Sequence, residues 1–131
     1  MSAKAEKRIM IVDDHYMVRQ GLAFSLKPFK ELRLVGEASN GLEAVRLSFE
    51  LQPHVILMDL MMPEMNGIEA TRIISQRDPS ITIIVLTGME SNSPLAMEAL
   101  QAGAAVCITK QSSVDELLRL IRTLSPYEEL H

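Results

Sequence analysis

The chain contains no tryptophan, and aromatic residues make up only 4% of its 131 residues, so its core has to be aliphatic. A single cysteine, Cys107, excludes an internal disulfide. No apolar run approaches the roughly 20 residues of a membrane-spanning helix. The opening stretch Met1 to Lys7 is too polar for a secretion signal. Clustered Lys and Arg, the usual footprint of a nucleic-acid surface, are also missing. The mildly basic stretch Lys4 to Arg8 is short and reads as a solvated lead-in. With 13 basic against 17 acidic side chains the net charge is −4. These absences describe a cytoplasmic protein with no membrane contact and no DNA-binding surface of its own.

What is present has globular proportions: 47% hydrophobic and 23% charged residues, in a length that suits one domain. There is no internal repeat, low-complexity tract or interior linker. Five short apolar runs recur, Ile9 to Val12, Leu32 to Val35, Val55 to Met58, Ile81 to Leu86 and Ala104 to Ile108. Near-continuous, mostly β-branched runs are the pattern of strands buried on both faces, as in a parallel sheet. The Leu32 run is interrupted by Arg33 and suits an edge.

Helical stretches separate the runs. The first is expected from about Tyr16 to Lys27, with Val18, Leu22 and Leu26 inward. In the last, Val114, Leu117, Leu118, Ile121 and Leu124 follow the 3.6-residue period. Ser113 with Glu116 predicts a capping box there. Asn40 with Glu43 and Asn66 with Glu69 are weaker versions, and Ser93-Pro94 fits N-cap then N1. Gly36, Gly41, Gly67, Gly88 and Gly103 are expected at or near element ends. The predicted architecture is α/β: five βα units, (βα)5, forming a doubly wound five-stranded parallel sheet. Such sheets bind ligands beyond the carboxyl ends of their strands, at the switch point.

Four of the five runs end on a polar group. Run one is followed by Asp13-Asp14, run three by Asp59, run four by Thr87, and run five leads to Lys110. Run two leads only to Glu37, Ala38 and Ser39. In the order 2-1-3-4-5, strand two lies at the edge and the acids flank the switch point. Singly, each acid has an ordinary explanation: Asp13 or Asp14 could cap the first helix, and a strand-end Lys is usually solvated. Jointly, three carboxylates on one small surface repel one another and call for a counter-ion. An all-oxygen cluster suits Mg²⁺, which keeps waters and a phosphate oxygen among its ligands. A Lys ammonium and a Thr hydroxyl complete the equipment for phosphoryl transfer to a carboxylate.

These segments together resemble the receiver domain of two-component response regulators, a flavodoxin-like fold, and most of all the subgroup that carries a LuxR-type DNA-binding domain. The matching stretches are Ile9-Met-Ile-Val-Asp-Asp-His15, Val18-Arg-Gln-Gly-Leu22, Val35-Gly-Glu-Ala-Ser-Asn-Gly41, Leu57-Met-Asp-Leu-Met-Met-Pro-Glu-Met-Asn-Gly67, Val85-Leu-Thr87, and Ala102-Gly-Ala104 through Lys110. The resemblance implies that Asp59 is the phosphoacceptor. It implies that Asp13, Asp14, Asp59 and the Met61 backbone carbonyl bind Mg²⁺. Thr87 would contact the phosphoryl oxygen and Lys110 would pair with it, while Pro63 and Gly67 shape the following loop. Such a chain is a signalling switch rather than an enzyme, catalysing only its own aspartyl phosphorylation and dephosphorylation. The partners implied are a sensor histidine kinase docking near the first helix, a phosphorylation-dependent homodimer through the last helix or the Ser93 to Ala102 helix, and DNA only through a missing C-terminal domain. The receiver is expected over residues 1–124, with 125–131, opening on Ser125-Pro126, as the start of a linker or the end of an excised fragment.

His15, beside the acids, is not expected to bind a hard metal, and His54 reads as structural. Clustered Met58, Met61, Met62 and Met65 read as core and loop packing rather than a soft-metal site. Met61 and Met89, each two residues past a site residue, are expected to flank the acceptor and hinder water. Gly88 leaves room for a phosphoryl group. Two positions depart from the family pattern. Cys107 stands where receivers carry a switching Tyr or Phe. Gln111 follows Lys110 where many have Pro, and a non-Pro cis bond, costing about 2.5–4 kcal/mol, is not expected there. Two other readings compete. An aspartyl phosphatase would place Asp-x-Asp after the first strand, where this chain has an adjacent pair. A phosphorylation-independent pseudo-receiver draws its support from Cys107.

Overall fold

A computed structural model describes residues 6–62, 64–88 and 92–125 of the chain. Strands and helices alternate as β1 (Lys7–Val12), α1 (Tyr16–Leu26), β2 (Leu32–Ala38), α2 (Gly41–Leu51), β3 (Val55–Asp59), α3 (Gly67–Arg77), β4 (Thr82–Thr87), α4 (Pro94–Ala102), β5 (Val106–Thr109) and α5 (Val114–Leu124). All strand pairs are parallel, in the order β2-β1-β3-β4-β5. The five-unit doubly wound sheet expected from the apolar runs is therefore the observed one. β2 lies at one edge, as expected, with β5 at the other, and β2 is the least buried strand.

Alternation along the strands sends side chains to two separate cores. Met10, Val12, Ile56, Met58, Ile83 and Val85 face α2, α3 and α4, whose contacting residues are mostly Ala44, Ala70, Ile74, Ala96 and Ala99. Small residues let those helices approach the sheet closely. Ile9, Ile11, Val55, Leu57, Ile84 and Leu86 face Leu26 of α1 and Leu117, Leu120 and Ile121 of α5. Ile56 and Ile84 are completely buried, and truncating either to Ala costs about 2–5 kcal/mol.

Several expectations change in detail. In α5 the inward face includes Leu120, while Leu124 is exposed at the helix end. The Ser113 hydroxyl accepts the Glu116 amide at 3.1 Å, but the Glu116 carboxylate turns to Arg119 at 2.7 Å, so the capping box is only half made. At α2 a related bond reaches one residue further back, to the residue before the N-cap Asn40. There Asn40 accepts the Glu43 amide at 2.8 Å and Glu43 accepts the Ser39 amide at 3.0 Å. Gly36 lies inside β2 rather than at its end. It sits beside a register shift at Ile9/Met10, and a Cβ there would strike the Leu51 side chain. Ser93 and Pro94 open α4 as expected. His54 is structural: its Nδ1 accepts the Arg8 amide at 2.9 Å where β3 begins. Met58, Met62 and Met65 pack into the first core, whereas Met61 is 63% exposed. Pro63, Met89 and Pro126 lie outside the described residues.

Candidate functional site

Strand register brings the polar ends together. Val12 pairs with Met58, Asp59 with Leu86, and Thr87 with Thr109. Asp13 and Lys110 each follow their strand's last residue, and Asp59 and Thr87 close theirs. The parallel sheet thus presents Asp13, Asp59, Thr87 and Lys110 side by side along one carboxyl edge, with Asp14 next to Asp13. The loop after Asp59 is held tightly underneath. The Gly67 amide donates to the Leu60 carbonyl at 2.9 Å, and a Cβ on Gly67 would collide with the Asp59 carbonyl. Gly41 meets the Met65 carbonyl in the same way, its amide donating at 2.9 Å.

Asp13, at 2% exposure, is fully committed. Its Oδ1 accepts the His15 amide at 2.8 Å and lies 3.0 Å from the His15 Nδ1. Its Oδ2 accepts from the Lys110 ammonium at 2.9 Å. Burial pushes its pKa up, but the His15 amide and Lys110 outweigh burial and the net direction is down. Asp59, at 4% exposure, is the opposite case. Its Oδ1 lies 3.4 Å from the Lys110 ammonium, while its Oδ2 is buried without a hydrogen-bond partner among the described residues. Burial, then the Asp13 charge, raises the Asp59 pKa against the pull of Lys110 and the Met61 amide. Lys110 itself is held up: burial works against its charge, but Asp13 and Asp59 prevail. Its amide also donates to the Thr87 carbonyl at 2.8 Å, linking β5 to the end of β4.

Ligand atoms of Asp13, Asp14, His15 and Asp59 all lie within 4.8 Å of one another. The set fits a small hard cation. Three carboxylates converge, and one of them keeps a buried acceptor lone; leaving such an oxygen unpaired is costly unless something binds it. The imidazole of His15 is already engaged, lying 3.0 Å from Asp13 and 3.1 Å from Asp14, in keeping with a hydrogen-bonding role. His15 also occupies the N-cap of α1, so neither acid is spent on capping that helix. Gly88 is exposed and a Cβ there would meet nothing among the described residues. The peptide bonds of the described residues are all trans, Lys110–Gln111 included.

Two features escaped the sequence. His15 holds Asp13 from both its amide and its ring, and Arg19 reaches back to the Asp13 carbonyl at 2.7 Å while its Nε donates to Glu37 at 3.0 Å. Only the Asp-x-His spacing hinted at the first, and nothing local signalled the second.

Comparison with known proteins follows the same lines. A family profile described as the response regulator receiver domain matches residues 9–122. The chain is 44% identical over 112 residues to the transcriptional regulatory protein YhcZ of Bacillus subtilis (strain 168), covering 86% of this chain and 52% of that protein. It spans about half the length of the curated relatives it matches. Among solved structures, the response regulator domain of Thermotoga maritima CheB superposes with a TM-score of 0.86 at 33% identity, covering 95% of this chain and 99% of that one. A LuxR-family two-component response regulator from Aurantimonas sp. SI85-9A1 gives 0.84 at 37% identity, with coverage of 93% and 91%.

Proposed function

The chain belongs to the response regulator receiver domain family, and on that premise we propose that it is a phosphoryl-accepting switch whose acceptor is Asp59. The observation that carries this reading is the Asp59 Oδ2, buried and without a hydrogen-bond partner among the described residues, in a carboxylate flanked by the Asp13 charge and the Lys110 ammonium. The ionised oxygen attacks phosphorus, the bond from phosphorus to the donor's nitrogen or acyl oxygen breaks, and that electron pair leaves with the donor. Asp13, Asp14, Asp59 and the Met61 carbonyl would hold Mg²⁺, which supplies positive charge for the transferring group and favours ionised Asp59. Lys110 and Thr87 donate to the oxygens of the bound phosphoryl group.

The phosphodonor in the cell is a sensor histidine kinase in this reading, and the setting is cytoplasmic. Its docking surface is the exposed side of α1. There Met17 and Phe24, 76% and 79% exposed, border a groove of about 790 Å³ between α1 and β2. The output is transcriptional control through a DNA-binding domain lying beyond residue 124, with homodimerisation on phosphorylation through α4 or α5. Incubation with Mg²⁺ and a small acyl phosphate, followed by intact mass measurement, tests the chemistry. A gain of one phosphoryl group, absent in Asp59→Ala, is expected. No gain makes the chain a pseudo-receiver, and continuous phosphate release from unrelated monoesters makes it a phosphatase.

A further inference from the structure

Adjacent residues on an extended strand point to opposite faces, yet Asp13 and Asp14 aim ligand atoms into one cluster with Asp59. Both residues lie just past β1, which ends at Val12, and the peptide between them sets how the two side chains are aimed relative to one another. Its orientation is held from outside the cluster. The Asp13 carbonyl, the oxygen of that peptide, accepts from the Arg19 Nη1 at 2.7 Å, while the amide of the preceding peptide, Asp13 N–H, donates to the Ala38 carbonyl at 3.0 Å. Arg19 is in turn anchored to β2, where its Nε donates to Glu37 Oε1 at 3.0 Å, an oxygen that Gln20 Nε2 also approaches at 3.4 Å. The guanidinium lies 5.6 Å from the Tyr16 ring centre, and the side chain is only 15% exposed. A rigid planar fork is needed to serve two acceptors in fixed directions, and lysine lacks one.

We infer that Arg19, braced by Glu37, is a positioning residue that sets the Asp13–Asp14 peptide so that both carboxylates converge on the cation. The inference rests on the magnesium-binding part of the proposed function. Arg19 acts on the Asp13 main chain, through its carbonyl. The Glu37 charge offsets its own, so it acts through geometry rather than field.

The test is calorimetric titration of Mg²⁺ into metal-free protein, with amide hydrogen exchange over residues 13–16 measured before metal is added. Arg19→Met is expected to weaken Mg²⁺ binding about tenfold, the usual scale for losing a group that orients a metal ligand, and to speed exchange at those amides. Arg19→Lys, which keeps the charge but not the fork, is expected to recover little. Glu37→Ala is expected to shift affinity the same way by a smaller factor, and it decides the matter if Arg19→Met does not fold. Wild-type affinity within twofold in folded Arg19→Met, or full rescue by Lys, overturns the inference while leaving the switch intact. A wild-type protein that takes up no Mg²⁺ overturns the underlying reading, and this inference with it.

Discussion

Around Asp59, three carboxylates and one ammonium crowd into a few ångströms, one buried oxygen has no partner among the described residues, and pKa values move in opposing directions. Two strands away, Cys107 sits among the alanines beneath α4, and its thiol donates to the Ala96 carbonyl at 3.3 Å. Burial raises the pKa of that thiol, which keeps it protonated and able to donate. The first region stores unfavourable electrostatics that a ligand can relieve. The second holds α4 to β5 by packing and one weak hydrogen bond, and does so without the aromatic ring that receivers usually carry there. The two regions thus rest on different forces.

The sharpest way to break the contrast is Lys110→Ala. It strips the shared counter-charge from Asp13 and Asp59, so metal-free stability is expected to fall by about 3 kcal/mol, read from urea midpoints. A loss under about 1 kcal/mol would mean that the pocket does not depend on that ammonium. Cys107→Tyr should cost about 1–3 kcal/mol by overpacking, yet leave phosphoryl uptake at Asp59 within about twofold once the protein is folded. A parallel collapse of uptake in the intact-mass assay would join the two regions again.

Asp59→Asn is expected to stabilise the metal-free protein by on the order of 1 kcal/mol at neutral pH. The sign follows from its raised pKa. A carboxyl whose folded pKa exceeds its unfolded value contributes stability below the unfolded value, and that contribution is lost as pH rises through the folded value. The difference between variant and wild type should therefore vanish near pH 3 and grow toward pH 7. Asp13 runs the other way: its lowered pKa contributes stability above the ordinary carboxylate range that is lost on acidification. Thermal melts across that range check both signs, and a flat difference for Asp59→Asn refutes the first. The smallest effect on stability belongs to Phe24→Ala on the exposed face of α1, within about 0.5 kcal/mol. Phosphorylation by a small donor should be unchanged, and transfer from a kinase reduced.

Much of the fold was legible because local pattern and global architecture agree. β-branched runs marked the strands, Asn40, Asn66, Ser93 and Ser113 marked helix starts, and strand ends marked the acids. The misjudged points involve choices among partners. Glu116 had Arg119 one turn away and took it in place of the cap. β2 runs three residues further than its apolar run because pairing with β1, not side-chain character, carries it through Glu37 and Ala38.

The sequence by itself determined which residues could do chemistry, and that they would gather at one sheet edge, since periodicity and strand-end placement are local properties. Only the tertiary structure decided who holds whom: Lys110 on Asp13 across 97 positions, Arg19 on Glu37 across 18, and the Asp59 Oδ2 without a partner among the described residues. Those outcomes depend on distances between segments that meet only when the sheet is assembled, and no local period encodes them.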